Sequence, residues 1–125
     1  MRGLRFSSVA IGVLVDKLSA IVAIGALMAL LGVRSDLFQI AALLAGFACT
    51  TLGAFVAARL AKTRMLAHGL AVGFVGLLIS ATRFLLTPEG SSAGHSLPWE
   101  LSAWLFVVLA GLAGGHLASR RSVAV

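Results

Sequence analysis

In 125 residues, 60% of the side chains are hydrophobic and 11% charged, with a net charge of +6 and a mean hydropathy of +1.07. That balance excludes a water-soluble domain of this size, which could not hide so much apolar surface. The basic excess does not point to nucleic acid, because Lys and Arg stand singly or in pairs at the borders of apolar runs, as they do beside membrane spans, with no aromatic-interleaved patch among them.

Four apolar runs follow in chain order: Leu14 to Val33, with an alternative start at Val9; Leu37 to Ala58; Met65 to Leu86; and Leu97 to Ala118. Each is long enough to cross a hydrocarbon core of about 30 Å as roughly 20 helical residues. None alternates with period two, and lipid cannot satisfy a bare backbone, so helices are expected rather than barrel strands. VRSD, AKTR and TPEGSSAGHSLP separate the runs as turns. Arg2 and Arg5 precede the first run as in a cleaved leader, but Asp16 and Lys17 interrupt it and no short apolar core ends cleanly at a small-x-small site ahead of a polar chain, so an uncleaved span is expected. The fold expected is an all-α, four-transmembrane-helix bundle forming one domain over residues 1–125.

Lys and Arg near span ends set orientation. Arg2, Arg5, Lys17, Arg59, Lys62, Arg64, Arg120 and Arg121 gather on one side, against Arg34 and Arg83 on the other beside Asp36, Glu89 and Glu100. Both termini are therefore expected in the cytoplasm, with the Val33 to Asp36 turn and the Thr87 to Pro98 loop outside. Trp99 and Trp104 suit an interfacial anchor near the outer end of the fourth span.

Sliding the chain along itself by about 61 positions reveals an ungapped self-similarity. AIGVL at Ala10 to Leu14 falls on AVGFV at Ala71 to Val75, LSA at Leu18 to Ala20 on ISA at Ile79 to Ala81, Phe38 on Trp99, and GAFVAAR at Gly53 to Arg59 on GGHLASR at Gly114 to Arg120. This register reads as two tandem helical hairpins, about 9–60 and 70–121, forming a parallel internal repeat about an axis along the membrane normal. Convergence of closely packed helix ends on the same residue types is the alternative.

Helices in lipid associate where small residues let backbones approach. The second span carries Ala42, Gly46, Cys49, Gly53 and Ala57 at helical spacing; the third Gly69, Gly73, Gly76 and Ser80; the fourth Gly111, Gly115 and Ala118; the first the weaker set Gly12, Asp16, Ser19 and Ala23. Lone Cys49 has no disulfide partner and reads as a packing residue.

Asp16 most needs a reason, since a carboxylate at mid-span costs about 2.5 to 3.5 kcal/mol on insertion scales; a start near Val9 puts it about two turns deep, whereas a start near Leu14 leaves it at the interface as a simple surface charge at much smaller cost. Its stripe points inward, and Arg59, His68 and Arg120 are the partners expected at its level. Lys17, about 100° away around a regular helix, is expected to snorkel to headgroups instead. The repeat sets Leu77 and Leu78 opposite Asp16 and Lys17, so this polarity belongs to one half. Arg83 is expected to pair with Glu100, Glu89 or Asp36, or to snorkel. His68 and His116 fall near the cytoplasmic face and His95 in the outer loop. No HxxxH, HxxE or CxxC spacing concentrates ligands, so neither metal nor cofactor is expected. Nor is there a nucleophile elbow, a phosphate-cradling glycine loop or a carboxylate pair on one face, so no enzyme is expected.

The segments GVLVD at Gly12 to Asp16, GAFVAARLA from Gly53, HG at His68 and Gly69, and GGHLASR together resemble small uncharacterised bacterial four-span membrane proteins with a G-G-x-x-A-x-R element and an H-G or N-G opening the next span. Ala54 departs from that pattern, where a second glycine is typical. The resemblance implies the bacterial inner membrane and no particular activity. Three functions remain in view: contact through helices, as a homo-oligomer or with a membrane partner; a small proton-linked transporter using Asp16; and anionic lipid binding by the cytoplasmic arginines. The second resembles small multidrug resistance transporters in span number, but those use an intramembrane glutamate beside an aromatic cage, and this chain has no tyrosine.

Overall fold

The computed structural model describes residues 5–32, 36–86 and 97–123. The expectations placed on Arg2, Arg34, Glu89, His95, the greater part of both outer connections, and the side chains of Trp99 and Arg121 lie outside the described residues. Four helices follow in order: α1 (Phe6–Leu31), α2 (Asp36–Ala61), α3 (Met65–Leu86) and α4 (Leu97–Val123). All are long and apolar enough to cross a membrane. At 1.5 Å per residue they measure about 33 to 40 Å; α3 coincides with its apolar run, α2 and α4 extend past theirs, and α1 starts earlier and stops at Leu31, short of Val33. α1 begins at Phe6, ahead of both Leu14 and Val9, because backbone hydrogen bonding continues past the point where side chains turn polar. The charges at the helix ends suit the helix dipole: Asp36 and Glu100 stand in the first turns of α2 and α4, Arg59 and Arg83 in the last turns of α2 and α3.

Two boundaries use left-handed backbone. Gly32 closes α1 with φ 72° and donates its N–H to the Met28 carbonyl at 3.2 Å. Between α2 and α3, Lys62 and Arg64 hold φ values of 57° and 46°. Two non-glycine residues in that region within three positions make a short reversal at a conformational cost.

The contacts fix the topology. α1 and α2 are antiparallel, since Gly12 faces Gly53 while Asp16 reaches Thr50. α3 and α4 are antiparallel through Gly69 on Gly115 and Gly73 on Val107. α2 and α4 run parallel, with Phe47 edge-on to Phe106 at 5.9 Å and Ala54 against Gly114. α1 and α3 are also parallel, Arg5 meeting His68 and Gly12 meeting Val72. Among the described residues α2 and α3 pack on each other and each packs on both outer helices, whereas α1 and α4 do not meet. The beginning of α1 and the end of α4 consequently lie at the same end of the bundle, beside the α2–α3 turn.

Side-chain size, rather than polarity, sorts inside from outside. The buried positions are small or polar: Ser8, Gly12 and Asp16 on α1; Cys49, Thr50, Gly53, Ala54, Ala57, Ala58 and Ala61 on α2; Ala110, Gly111, Gly114, Gly115 and Ala118 on α4. Val72 is the one fully buried branched aliphatic among the described residues, and it packs with Ala54 and Ala57. Leu, Ile and Phe side chains such as Leu14, Ile21, Leu44, Phe74 and Leu105 point outward. In water this would be inside out; in lipid, where tails solvate leucine as well as another leucine does, the gain comes from bringing backbones together.

The close approaches leave no room for a methyl group. A Cβ built on Gly12 would stand 2.6 Å from the Ala57 Cβ, and one on Gly53 2.8 Å from the Asp16 Cβ. On the other side, a Cβ on Gly69 would stand 2.7 Å from the Gly115 Cα, one on Gly111 2.8 Å from the Gly69 carbonyl oxygen, and one on Gly114 2.7 Å from the Ala54 Cβ. Gly73 and Gly76 are looser, at 3.0 Å from the Val107 carbonyl oxygen and 3.1 Å from its Cγ1. Gly46 stands apart from the other stripe glycines, with nothing within 4 Å of an added Cβ, and Gly25 on α1 is equally open.

Candidate functional site: a buried carboxylate and a buried imidazole

Asp16 is 2% exposed. It lies ten residues into α1, about 15 Å along the helix, where Gly53 lets α2 come close enough for its backbone to crowd the Asp16 Cβ. The same approach delivers Thr50, one turn before Gly53, whose hydroxyl donates to Oδ1 at 2.9 Å. Lys17 Nζ lies 2.9 Å from Oδ2. That atom has ion-pair contact but no donor aligned for a hydrogen bond, so it is compensated by charge alone. The expectation that Lys17 snorkels away from Asp16 is thereby corrected. Adjacent residues are 100° apart around the helix, but their Cα atoms are only about 3.8 Å apart, and a four-carbon stem folds back across that gap. The Lys17 side chain remains 42% exposed, so the pair sits at the edge of the seam with the carboxylate inside.

Thr50 is the residue that the sequence reading left unused. Its signal was a hydroxyl at mid-span, beside Cys49 and three residues before Gly53, on the flank of a small-residue stripe. Ser19, also polar and one turn beyond Asp16, spends its hydroxyl on the carbonyls of Val15 and Asp16 at 2.7 and 3.0 Å.

His68 is fully buried on the first turn of α3. Its Nε2 lies 2.9 Å from the backbone N of Arg5, and its Nδ1 3.1 Å from the carbonyl oxygen of Arg64. The Arg5 amide can only donate and the Arg64 carbonyl can only accept, so Nδ1 carries the hydrogen and Nε2 the lone pair. One ring thus ties the start of α1 to the reversal between α2 and α3. The Arg64 carbonyl also accepts the His68 amide at 3.2 Å, which begins the α3 hydrogen-bond ladder. Gly69, next in sequence, allows α4 to press against the same turn.

These two centres are separate: Arg5, the residue before α1, and Asp16 are eleven residues apart, about 16 Å along the helix axis. Asp16 is therefore partnered by Thr50 and Lys17 rather than by His68, Arg59 or Arg120. Arg59, Arg83, Arg120 and His116 are exposed. Neither of two surface clefts is lined by Asp16 or His68. One, of about 450 Å³, lies between α2 and α4 under Phe47, Phe55 and Leu117; the other, of about 560 Å³, lies between the start of α3 and the end of α4. The Thr51 hydroxyl in the first cleft is already bonded to the Phe47 carbonyl at 2.8 Å, leaving that cleft an apolar surface suited to lipid tails. Among the described residues no group of three or more His, Cys, Asp or Glu side chains is placed to hold a metal ion.

No protein-family model matches the chain, and comparisons with curated proteins and with solved structures find no match.

Proposed function

We propose that this chain is a non-enzymatic, multi-pass protein of the bacterial inner membrane that acts through helix contacts, as a homo-oligomer or as an accessory subunit of a membrane partner. The observation that carries the reading is Gly46. The seams inside the bundle are closed by Gly12, Gly53, Gly69, Gly111, Gly114 and Gly115, whereas Gly46 on α2 and Gly25 on α1 have open space where a Cβ would be. A glycine facing outward from a transmembrane helix contributes nothing to lipid solvation and leaves a groove into which a second helix fits. The polar residues are turned to internal uses: Asp16 to Thr50 and Lys17, His68 to Arg5 and Arg64.

Native mass spectrometry and cross-linking of the intact chain in mild detergent test this. An oligomer or a copurifying membrane partner that is lost in Gly46→Leu, while the fold survives, supports the reading; a lone monomer in the wild type sinks it. The rival, proton-linked transport through Asp16, is motivated by the buried Oδ2 without an aligned donor. It requires that Asp16→Asn abolish a proton-coupled flux in proteoliposomes.

The orientation belongs to the same reading. Arg5, Arg59, Lys62, Arg64 and Arg120 share the end of the bundle where the α2–α3 turn lies, a charge bias that supports both termini in the cytoplasm. Impermeant thiol reagents on Thr63→Cys in intact cells test it, since labelling there would reverse the assignment. Two tandem hairpins related by duplication remain part of the proposal. The Gly12–Gly53 seam of the first hairpin and the Gly69–Gly115 seam of the second support them as a shared device, while Gly114, the counterpart of Gly53, turns to α2 instead of α3. Duplication followed by re-packing of α4 accounts for both facts.

A further inference from the structure

At the basic end of the bundle an open groove of about 560 Å³ runs between the start of α3 and the last turns of α4, lined by Lys62, Arg64, Met65, Leu66, Leu70 and Ser119. We propose that this groove holds one anionic phospholipid, its phosphate between Lys62 and Arg64 and an acyl chain laid along Leu66 and Leu70. The proposal goes beyond contact with protein partners and does not depend on it.

The arrangement has two chemically distinct ends in the order a lipid requires. Lys62 and Arg64 are exposed, they flank the groove at the α2–α3 reversal, and among the described residues neither has an acidic partner. They flank Thr63 in the connection between α2 and α3, both with left-handed φ, at the end of two helices long and apolar enough to span a membrane, the level at which headgroups are expected. From there the lining becomes apolar toward the membrane interior. Leu66 and Leu70, one helical turn apart, are 45% and 36% exposed, a strip for a chain to follow. A soluble anion would use the first end and leave the second idle; a neutral lipid would use the second and leave two uncompensated cations. An anionic phospholipid satisfies both. Arg59 and Arg120, at the same end but outside the groove lining, contribute only to the general field.

The test is native mass spectrometry of the full chain with an equimolar mixture of phosphatidylglycerol and phosphatidylcholine of matched acyl chains. The wild type is expected to retain phosphatidylglycerol over phosphatidylcholine by roughly thirtyfold, the ratio corresponding to about 1 kcal/mol for each of two basic residues near an anionic group. Lys62→Gln with Arg64→Gln is expected to bring that ratio close to one, and Arg59→Gln with Arg120→Gln to leave most of it. Equal retention of the two lipids by the wild type overturns the proposal without any variant. So does an unchanged ratio in the Lys62/Arg64 pair, an equal loss in both pairs, which would mean a diffuse basic surface, or displacement of the lipid by glycerol phosphate as readily as by lysophosphatidylglycerol, which would mean that the apolar strip is unused.

Discussion

The Thr50 hydroxyl donates to Asp16 Oδ1 across the α1–α2 seam at 2.9 Å, at the level where Gly53 removes the side chain that would hold the two helices apart. A short polar bond and a small-residue contact are thus parts of one device: the glycine sets the distance, and the hydroxyl fixes the height at which the helices stop sliding. Replacing Thr50 by valine keeps the shape and removes the donor. Interhelical hydrogen bonds in membranes contribute about 0.6 to 2 kcal/mol, and the acceptor left behind is a buried carboxylate, so a loss of about 1 to 2 kcal/mol is expected. Reversible unfolding in mixed micelles measures it, with Thr50→Ser retaining most of the stability.

The seams also make a prediction about size alone. Alanine is the better helix former by about 1 kcal/mol, so a glycine with open space should tolerate or welcome it. Gly25→Ala is expected to be neutral or to stabilise slightly. Gly53→Ala is expected to destabilise by about 1 to 3 kcal/mol despite the same propensity gain, because its Cβ would meet the Gly12 backbone and the Asp16 Cβ rather than a flexible side-chain tip. Opposite signs for the two substitutions in the same unfolding assay would confirm that packing, and not helix propensity, governs the α1–α2 seam. Equal effects would contradict it.

The His68 ring bonds on both sides, with Arg5 as donor and Arg64 as acceptor. Nitrogen NMR of the labelled imidazole is expected to show the hydrogen on Nδ1. His68→Ala removes a fully buried side chain and frees the Arg5 amide, so that amide should exchange with solvent markedly faster while amides in mid-α1 keep their protection. Slow exchange at Arg5 in the variant would show that the start of α1 is held by other means.

Lys62 and Arg64 stand in the left-handed region where a Cβ is unfavourable. Glycine at either position relieves roughly 1 to 2 kcal/mol of steric strain and returns about 0.5 to 1 kcal/mol of it through greater freedom in the unfolded chain. Lys62→Gly and Arg64→Gly are therefore each expected to stabilise the bundle modestly, by up to about 1 kcal/mol. Thr63→Gly, whose backbone is not in that region, should not. Thermal unfolding in a neutral detergent separates this gain from any contribution of the lost charges to lipid binding.

The length of each apolar run, the charges at its borders and the spacing of its small residues are properties of the chain read along one dimension, and they determined four helices long and apolar enough to span lipid and the residues able to form seams. Which small residues meet is a different kind of question. α2 buries neighbouring faces at once, Gly53 and Ala57 toward Gly12, Ala54 toward Gly114, and spacing of three and four cannot say which face belongs to which neighbour. Nor can it say that Gly46, on the same stripe as Gly53, ends with open space beside it. Asp16 was conspicuous from its cost in a membrane, but its partnership with Thr50 required the relative height of two helices, and its contact with Lys17 the reach of a flexible stem. Only the tertiary structure decided these, because backbone approach and side-chain reach are distances between segments, and a sequence holds no distance between segments until the helices have docked.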